Sequence, residues 1–259
     1  AWMWARLHAR STKLVTYEGG FQAFADDFAQ VLLKMGVEIR YNTVVEKIET
    51  HDNHGVEIHA SSGKENFDQV LVTLSPAQMA KMTPQLPADY LKGLLELKSI
   101  GAVVLTISLK HQLSREGYYW YNLPKSAGFP FLALVEHTNF LPKEKFGGEN
   151  LIYCGDYLET DHEYFKMTAE ELLARFMPSF TRINPDFKPE WINRVWLTKA
   201  AYAQPVPLIN HSQNIPAIQS PLPGVFFASM SQVYPWDRGT NFAVEIARRA
   251  AGLMLESLR

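Results

Sequence analysis

The sequence contains a single cysteine, Cys154, among its 259 residues. One cysteine excludes a disulfide within the chain and any metal cluster built from several thiolates. The residue lies in the apolar run 151–155, which is typical of a buried strand, and we interpret it as a structural thiol. Long apolar runs are lacking too, since none approaches the roughly 18 residues that a membrane-spanning helix needs, and no signal peptide is recognisable. We therefore expect a cytoplasmic protein and leave open an association with the surface of a membrane.

A strong net charge is also missing, because the formal net charge is −2. A nucleic-acid partner would require a strongly basic face, so we expect no such partner. Hydrophobic residues make up 47% of the chain and charged residues 20%, which is ordinary for a globular protein. A chain of this length predicts one large domain or two interlocked ones.

The common catalytic and nucleotide-binding signatures are absent as well. There is no Walker loop, no H-E-x-x-H, no G-x-S-x-G and no glycine-rich dinucleotide fingerprint. The eight histidines show no metal-ligand spacing, so we predict no metal site. The chain begins without methionine and carries Trp2 and Trp4 near its first residue. We interpret this start as that of a fragment cut from a larger core.

The first part of the chain predicts a compact unit of helix and strands. Apolar residues recur at helical spacing over 21–35, and Gly36 is the expected stop. Alternation predicts a strand at 37–41, an extended segment at 44–48, and two further strands at 56–58 and 70–72 joined by the polar turn 61–64.

The middle of the chain predicts an α+β domain. Short helices near 76–83 and 87–97 lead to a long apolar strand at 102–109. Thr168 and Glu171 form a capping-box pattern that predicts the start of a helix. The remaining strand predictions are 118–122, 130–136, 151–157 and 191–202. Together they indicate a mixed or antiparallel sheet of about six strands under helices.

The end of the chain predicts a buried strand at 225–229, a polar and aromatic loop, and a helix that begins at 239–241. A helix N-terminus leaves amides unsatisfied and carries partial positive charge, so it can bind a phosphate or other negative charge. Gly239 would let the backbone approach a ligand closely. An ordinary capped helix is the alternative, and spacing alone favours it.

Two of these segments resemble the flavin amine oxidase, protoporphyrinogen oxidase and phytoene desaturase superfamily. The first is Gly19-Gly20-Phe21 with its amphipathic helix and the segment 37–48. The second is 227–231 followed by Ala243-Val244-Glu245. The resemblance implies part of an FAD-binding, Rossmann-like domain at 1–75, a substrate-binding domain at 76–221, and a C-terminal FAD-binding strand, loop and helix at 222–259.

The resemblance also implies FAD-binding roles for individual residues. Val45 would contact the adenine, largely through its backbone, and Thr240 and Asn241 would face the flavin pyrimidine edge. Ser229 and Ser231 stand where the family usually has a glycine and an acidic residue, which weakens the case for a carboxylate contact there. The implied cofactor-binding set is Val45, Ser229, Ser231, Trp236, Arg238, Gly239, Thr240 and Asn241.

The implied activity is that of a dehydrogenase or desaturase rather than an amine oxidase. The family's amine oxidases carry a lysine in the strand at 101–106, and the matching position here is assigned to Leu105. A hydrophobic substrate would lose hydride to flavin N5, with FAD present in the complete protein and bound weakly or not at all by this fragment. The candidate substrate contacts are Tyr119, Tyr121, Tyr202 and Gln204, and no catalytic residue is identified.

Other interpretations stay open at this point. The chain could serve as a non-catalytic module that binds a ligand or partner through the substrate-domain fold. A sugar-nucleotide mutase that uses reduced flavin is a third option, but no set of arginines and tyrosines for a diphosphate is recognisable. A homodimer also stays open.

Overall fold

The computed structural model of the chain describes residues 1–8, 15–51, 55–236 and 239–258. The chain divides into two compact units. Unit 1 consists of residues 1–98 and 205–259, and unit 2 of residues 99–204. The domain boundaries inferred from the sequence, at 75/76 and 221/222, stay predictions beside this division.

The first segment of unit 1 carries helices and short strands. In chain order they are α1 (Trp2–His8), α2 (Gly20–Lys34), β1 (Val45–His51), β2 (Gly55–Ala60), β3 (Gly63–Phe67), β4 (Val70–Val72), α3 (Pro76–Met82) and α4 (Ala88–Glu96). β1, β2 and β3 form an antiparallel sheet in that order. The helix predicted over 21–35 is confirmed as α2, and none of its side chains is buried.

One strand prediction and one predicted connection in this segment are wrong. Residues 37–41 form no strand although they alternate, because alternation indicates an extended chain and cannot supply a neighbouring strand to pair with. The turn at 61–64 was predicted to join 56–58 to 70–72, but it leads into β3, and β4 pairs elsewhere. β3 was missed because its sequence, GKENF, is mostly polar.

Unit 2 is built on a five-stranded sheet rather than the predicted six strands. Its elements are β5 (Ser99–Leu109), β6 (Trp120–Asn122), β7 (Ala133–Glu136), β8 (Asn150–Leu158), α5 (Ala169–Ile183) and β9 (Ile192–Pro205). The strand order is β6-β7-β8-β5-β9, and the pairs from β6 through β5 are antiparallel. The predicted capping box of α5 is confirmed, since the Glu171 amide donates to Thr168 Oγ1 at 3.2 Å and the Thr168 amide donates to Glu171 Oε2 at 2.8 Å.

One face of this sheet carries the core of unit 2. Leu105 and Ile107 of β5 are fully buried in a cluster that includes Phe176 and Phe180 of α5. Cys154 of β8 belongs to the same cluster, as expected for a structural thiol, and burial raises its pKa. The alternate residues Ala102, Val104 and Thr106 of β5 are only half-buried and lie on the opposite face.

The final segment returns to unit 1 with α6 (His211–Asn214), β10 (Val225–Phe227) and α7 (Thr240–Ser257). β10 pairs in parallel with β4, and Val225 and Phe227 pack in the core of unit 1 with Ile48 and Val56. The predicted α+β class is therefore confirmed. Within the described ranges, no helix is long and apolar enough to cross a membrane.

Candidate functional site

A pocket lies where β4 and β10 end. The two strands are parallel, with Val72 opposite Phe227, so their carboxyl ends meet at one edge. In open α/β sheets, ligands bind outside the carboxyl ends of the strands. The pocket is an open depression with a volume of about 190 Å³, and most of its lining is apolar. Its wall is formed by Leu71, Thr73, Ala228, Ser229, Met230, Ala243, Ile246 and Ala247, and we call it the strand-end pocket.

The chain leaves β10 through a turn that is fixed by side-chain hydrogen bonds. The Ser231 amide donates to Ser229 Oγ at 3.3 Å, and the Ser229 amide donates to Gln232 Oε1 at 2.7 Å. Gln232 Nε2 donates to the carbonyl oxygens of Phe227 and Pro216, both at 3.1 Å. All three side chains are buried, so they position the pocket wall. The sequence analysis missed Gln232, although the spacing Ser229-x-x-Gln232 is that of a capping box.

The start of α7 has no side-chain cap among the described residues. Its N-cap, Gly239, provides no side-chain cap, and Thr240 and Asn241 are exposed. Gly239 has φ 177°, an extended conformation that any residue can adopt. Glycine is therefore not needed here for its backbone conformation, and what it offers is the absence of a side chain. A Cβ there would lie 2.8 Å from Asn241 Oδ1. The partial positive charge at this helix end is therefore open to a negatively charged group.

Two other predicted cofactor contacts are not among the residues that line the strand-end pocket. The ring of Trp236 stacks on Phe242 with centroids 5.9 Å apart and an interplanar angle of 9°. Val45 begins β1 opposite Ala60, and its side chain packs against the core of unit 1. Arg238 lies outside the described residues. The roles assigned to these residues stay predictions.

A second candidate site is a groove on the face of the unit 2 sheet that lies opposite α5. The groove is open to solvent and has a volume of about 180 Å³, and most of its lining is apolar. The strand register brings its residues together, since Gly155 of β8 lies opposite both Val104 of β5 and Ala133 of β7. A Cβ on Gly155 would lie 2.3 Å from the Val103 carbonyl oxygen. The lining is Ala102, Val104, Trp120, Asn122, Leu132, Ala133, Val135, Tyr153, Gly155, Asp156 and Tyr157, and we call it the sheet groove.

The predicted substrate contacts are not among the residues that line the sheet groove. Tyr121 alternates with Trp120 and Asn122 along β6, packs against the core of unit 2, and has its pKa raised by burial. Tyr119 packs its ring against Phe140, with centroids 5.2 Å apart. Tyr202 and Gln204 are half-buried on β9 and are likewise outside the groove lining. Their role as substrate contacts stays a prediction.

Comparison with known proteins places these features in a family. The sequence matches the flavin containing amine oxidoreductases over residues 3–255. The chain belongs to this family. The resemblance inferred from the segments 19–48 and 227–245 is thereby confirmed. No curated protein matches the sequence.

Solved structures share the fold of this family member at low sequence identity. A putative protoporphyrinogen oxidase from Exiguobacterium sp. 255-15 superposes with a TM-score of 0.76 and 14% identity, over 97% of this chain and 54% of that one. An oxidoreductase from Methanosarcina mazei has a TM-score of 0.62 and 16% identity, over 82% and 49%. A putrescine oxidase variant has a TM-score of 0.70 and 15% identity, over 92% and 53%. The chain thus spans about half the length of these structures.

The register of β5 shows where the residue assigned to the lysine position of amine oxidases lies, while the assignment itself stays a prediction. Leu105 was assigned to the position that carries a lysine in amine oxidases, but its side chain is fully buried in the core of unit 2. The outward positions are Val104 and Thr106, because a shift of one residue moves a strand side chain to the other face. Neither outward residue is a lysine.

The residues of the strand-end pocket fit part of a flavin nucleotide. Ala228, Ala243 and Ala247 provide a wall of small apolar side chains against which a planar ring can lie closely. The uncapped amides at the start of α7 suit a phosphate or a ring that carries negative charge. The described residues of unit 1 therefore supply two features of a flavin site. One is an apolar surface, and the other is a source of partial positive charge at the start of α7.

Proposed function

We propose that the protein to which this chain belongs is an FAD-dependent oxidoreductase of the dehydrogenase or desaturase type that acts on a hydrophobic substrate. The observation that carries the proposal is the strand-end pocket, with its small apolar wall and the uncapped start of α7, in a member of the flavin containing amine oxidoreductases. The putative protoporphyrinogen oxidase and the oxidoreductase among the similar structures are consistent with this activity.

In this proposal, unit 1 holds the cofactor through backbone and small side chains. Ala243 and Ala247 border the flavin, while the amides around Thr240 and Asn241 stabilise negative charge. FAD held there would supply a hydride acceptor, flavin N5, for the oxidation of a substrate carbon. The Ser229 hydroxyl accepts a hydrogen bond from the Ser231 amide, which holds the turn after β10 in place. We therefore assign this hydroxyl a structural role and no contact with the cofactor.

The sheet groove of unit 2 is the proposed substrate surface. Apolar side chains such as Val104, Val135 and Trp120 would bury the substrate and exclude water, with Asn122 as a polar contact. The groove carboxylate, Asp156, already accepts the Tyr157 amide at 2.8 Å and lies 3.7 Å from Lys125 Nζ. We therefore assign it no proton transfer and leave the catalytic base unassigned.

The test is the absorbance spectrum of the protein, purified from its complete native gene without added cofactor. We expect flavin bands that dithionite bleaches. The variant Ala247→Trp fills the strand-end pocket and should lower the flavin content at least fivefold. Ala251→Trp places the same ring one turn further along α7, at an exposed position outside the pocket lining, and should leave the flavin content unchanged.

Two results would contradict the proposal. Equal flavin content in the Ala247→Trp and Ala251→Trp proteins would remove the strand-end pocket from the cofactor site. A colourless protein that also fails to take up added FAD would leave the non-catalytic binding module as the better account.

A further inference from the structure

Two histidines and two glutamates lie on one face of the hairpin formed by β1 and β2. Glu49 lies directly opposite Glu57 in the antiparallel register. His51 follows Glu49 by two residues, and His59 follows Glu57 by two. Side chains two residues apart in a strand share a face, so all four project from the same side of the hairpin. None of the four lines the strand-end pocket.

Their donor atoms converge on a small volume. His59 Nε2 lies 2.6 Å from Glu57 Oε1 and 3.0 Å from Glu49 Oε2. His51 Nε2 lies 3.9 Å from Glu57 Oε1. Each of Glu49, Glu57 and His59 offers a ligand atom within 4.8 Å of the others. Their side chains are 20% exposed, so the cluster is partly shielded but open to an ion from solvent.

These separations match the spacing of ligands around a small divalent cation. Zinc binds imidazole nitrogen and carboxylate oxygen at roughly 2.0–2.2 Å, so two ligand atoms of a tetrahedral site lie roughly 3.3 Å apart. The separations from the histidine nitrogens, 2.6 Å to 3.9 Å, bracket that value. An ion could therefore enter through side-chain movement alone, on a backbone held by strand pairing, with His51, whose side chain is 46% exposed, turning towards the other three ligands.

We propose that His51, His59, Glu49 and Glu57 form a binding site for a divalent cation of the zinc type. The two imidazole nitrogens and one oxygen from each carboxylate are the ligands. Mixed nitrogen and oxygen donors favour zinc or a neighbouring transition metal over magnesium and calcium, which prefer oxygen alone.

Two lysines balance the charge of the glutamates when the site holds no cation. Lys47 Nζ lies 2.7 Å from Glu49 Oε1, and Lys64 Nζ lies 3.1 Å from Glu57 Oε1. Each glutamate therefore forms an ion pair with a lysine, and it must exchange that lysine for the metal when it acts as a ligand. The lysine side chains are 42% and 62% exposed, so each ammonium group can turn into water when a cation enters. The lysines are therefore competitors of the metal.

The experiment is a titration of the chelator-treated protein with Co²⁺, followed by the visible absorption of the bound ion, and a competition with Zn²⁺. We expect one ion per chain and displacement of Co²⁺ by Zn²⁺. His59→Ala should weaken binding at least tenfold. His111→Ala is the matched control, because His111 is an exposed histidine of unit 2 and should leave the affinity unchanged.

A second variant keeps the test decisive if loss of His59 disturbs the hairpin. The double variant Lys47→Met/Lys64→Met removes the competing cations and should raise the affinity at least threefold, a gain that misfolding cannot produce. The proposal is overturned if the protein binds no Co²⁺, or if His59→Ala binds it as tightly as His111→Ala. Unchanged or weaker binding by the double lysine variant would also overturn it, and the cluster would then be an ion-pair network alone.

Discussion

Leu105 and Val104 are neighbours in β5, yet a lysine should have opposite consequences at the two positions. Leu105 is fully buried in the core of unit 2, whereas Val104 is half-buried and lines the sheet groove. We expect Leu105→Lys to destabilise unit 2 severely and Val104→Lys to be tolerated. The two positions are adjacent in the sequence, but their side chains lie on opposite faces of the sheet.

The magnitude follows from the cost of burying an amine. A lysine side chain in water has a pKa of about 10.4, and each pKa unit is worth about 1.36 kcal/mol, so neutralising the amine at pH 7 costs about 4.6 kcal/mol. The lost packing of a buried leucine adds to this, against a total stability of about 5–15 kcal/mol for a typical domain. A lysine at position 104 can extend its ammonium group into water, so we expect a cost below about 1 kcal/mol there.

Urea unfolding followed by circular dichroism from pH 7 to pH 10 measures the difference. A lysine that folding buries binds its proton less tightly in the folded state than in the unfolded state. The deficit of Leu105→Lys should therefore shrink as pH rises, by about 1.36 kcal/mol per pH unit below the unfolded pKa. Equal destabilisation by the two variants, or a deficit of Leu105→Lys that does not change with pH, would refute the register described for β5.

Three further predictions concern unit 2. Thr168→Ala should cost about 1 kcal/mol in urea unfolding because it removes the N-cap of α5, whereas Thr168→Ser should cost little, and equal losses would contradict the capping role. Burial raises the pKa of Glu136, so the wild type should lose stability relative to Glu136→Gln as pH rises from 4 to 8, and a constant difference would contradict this. Gly155→Ala should lower the free energy of unfolding by about 1–3 kcal/mol, because the added Cβ would meet the Val103 carbonyl oxygen. Gly93→Ala on α4 has free space and should be neutral or stabilising, and thermal unfolding of the two variants measures the difference.

Local patterns predicted most of the helices and the long strands. The stripe at 21–35 and the Thr168 capping box are short-range signals, and both correspond to observed helices. The strand predicted at 37–41 was wrong because pairing depends on a partner that alternation does not reveal. β3 was missed for the complementary reason, since its place in the sheet is set by β2 rather than by apolar residues of its own.

The candidate sites depended on register, which the sequence does not display. The sheet groove is set by which alternate residues of β5, β8, β7 and β6 share a face, and the aromatic run 118–121 could not show that Trp120 rather than Tyr121 faces outward. The cluster of His51 and His59 with two glutamates is formed by side chains from two paired strands, so residue spacing along the chain does not predict it. The strand-end pocket requires β4 to pair with β10, two segments far apart in sequence.

The pairing of β4 with β10 also constrains the order in which parts of the molecule can fold during synthesis. β4 ends at Val72 and β10 begins at Val225, and all of unit 2 lies between them in the chain. At a synthesis rate of about 5–20 residues per second, β4 waits roughly 8–30 s for its partner on the ribosome.

During that interval the complete sequence of unit 2 emerges and can fold as a contiguous body. The two segments of unit 1 that flank unit 2 in the chain are then joined by a hydrogen bond, which the Val206 amide donates to the Lys98 carbonyl oxygen at 2.9 Å. One wall of the strand-end pocket consists of the segment that follows β10 and of α7, and both are translated after the whole of unit 2. A ligand can therefore meet the complete strand-end pocket only after unit 2 has been translated, and until β10 emerges the edge of β4 that pairs with it is open to other strands.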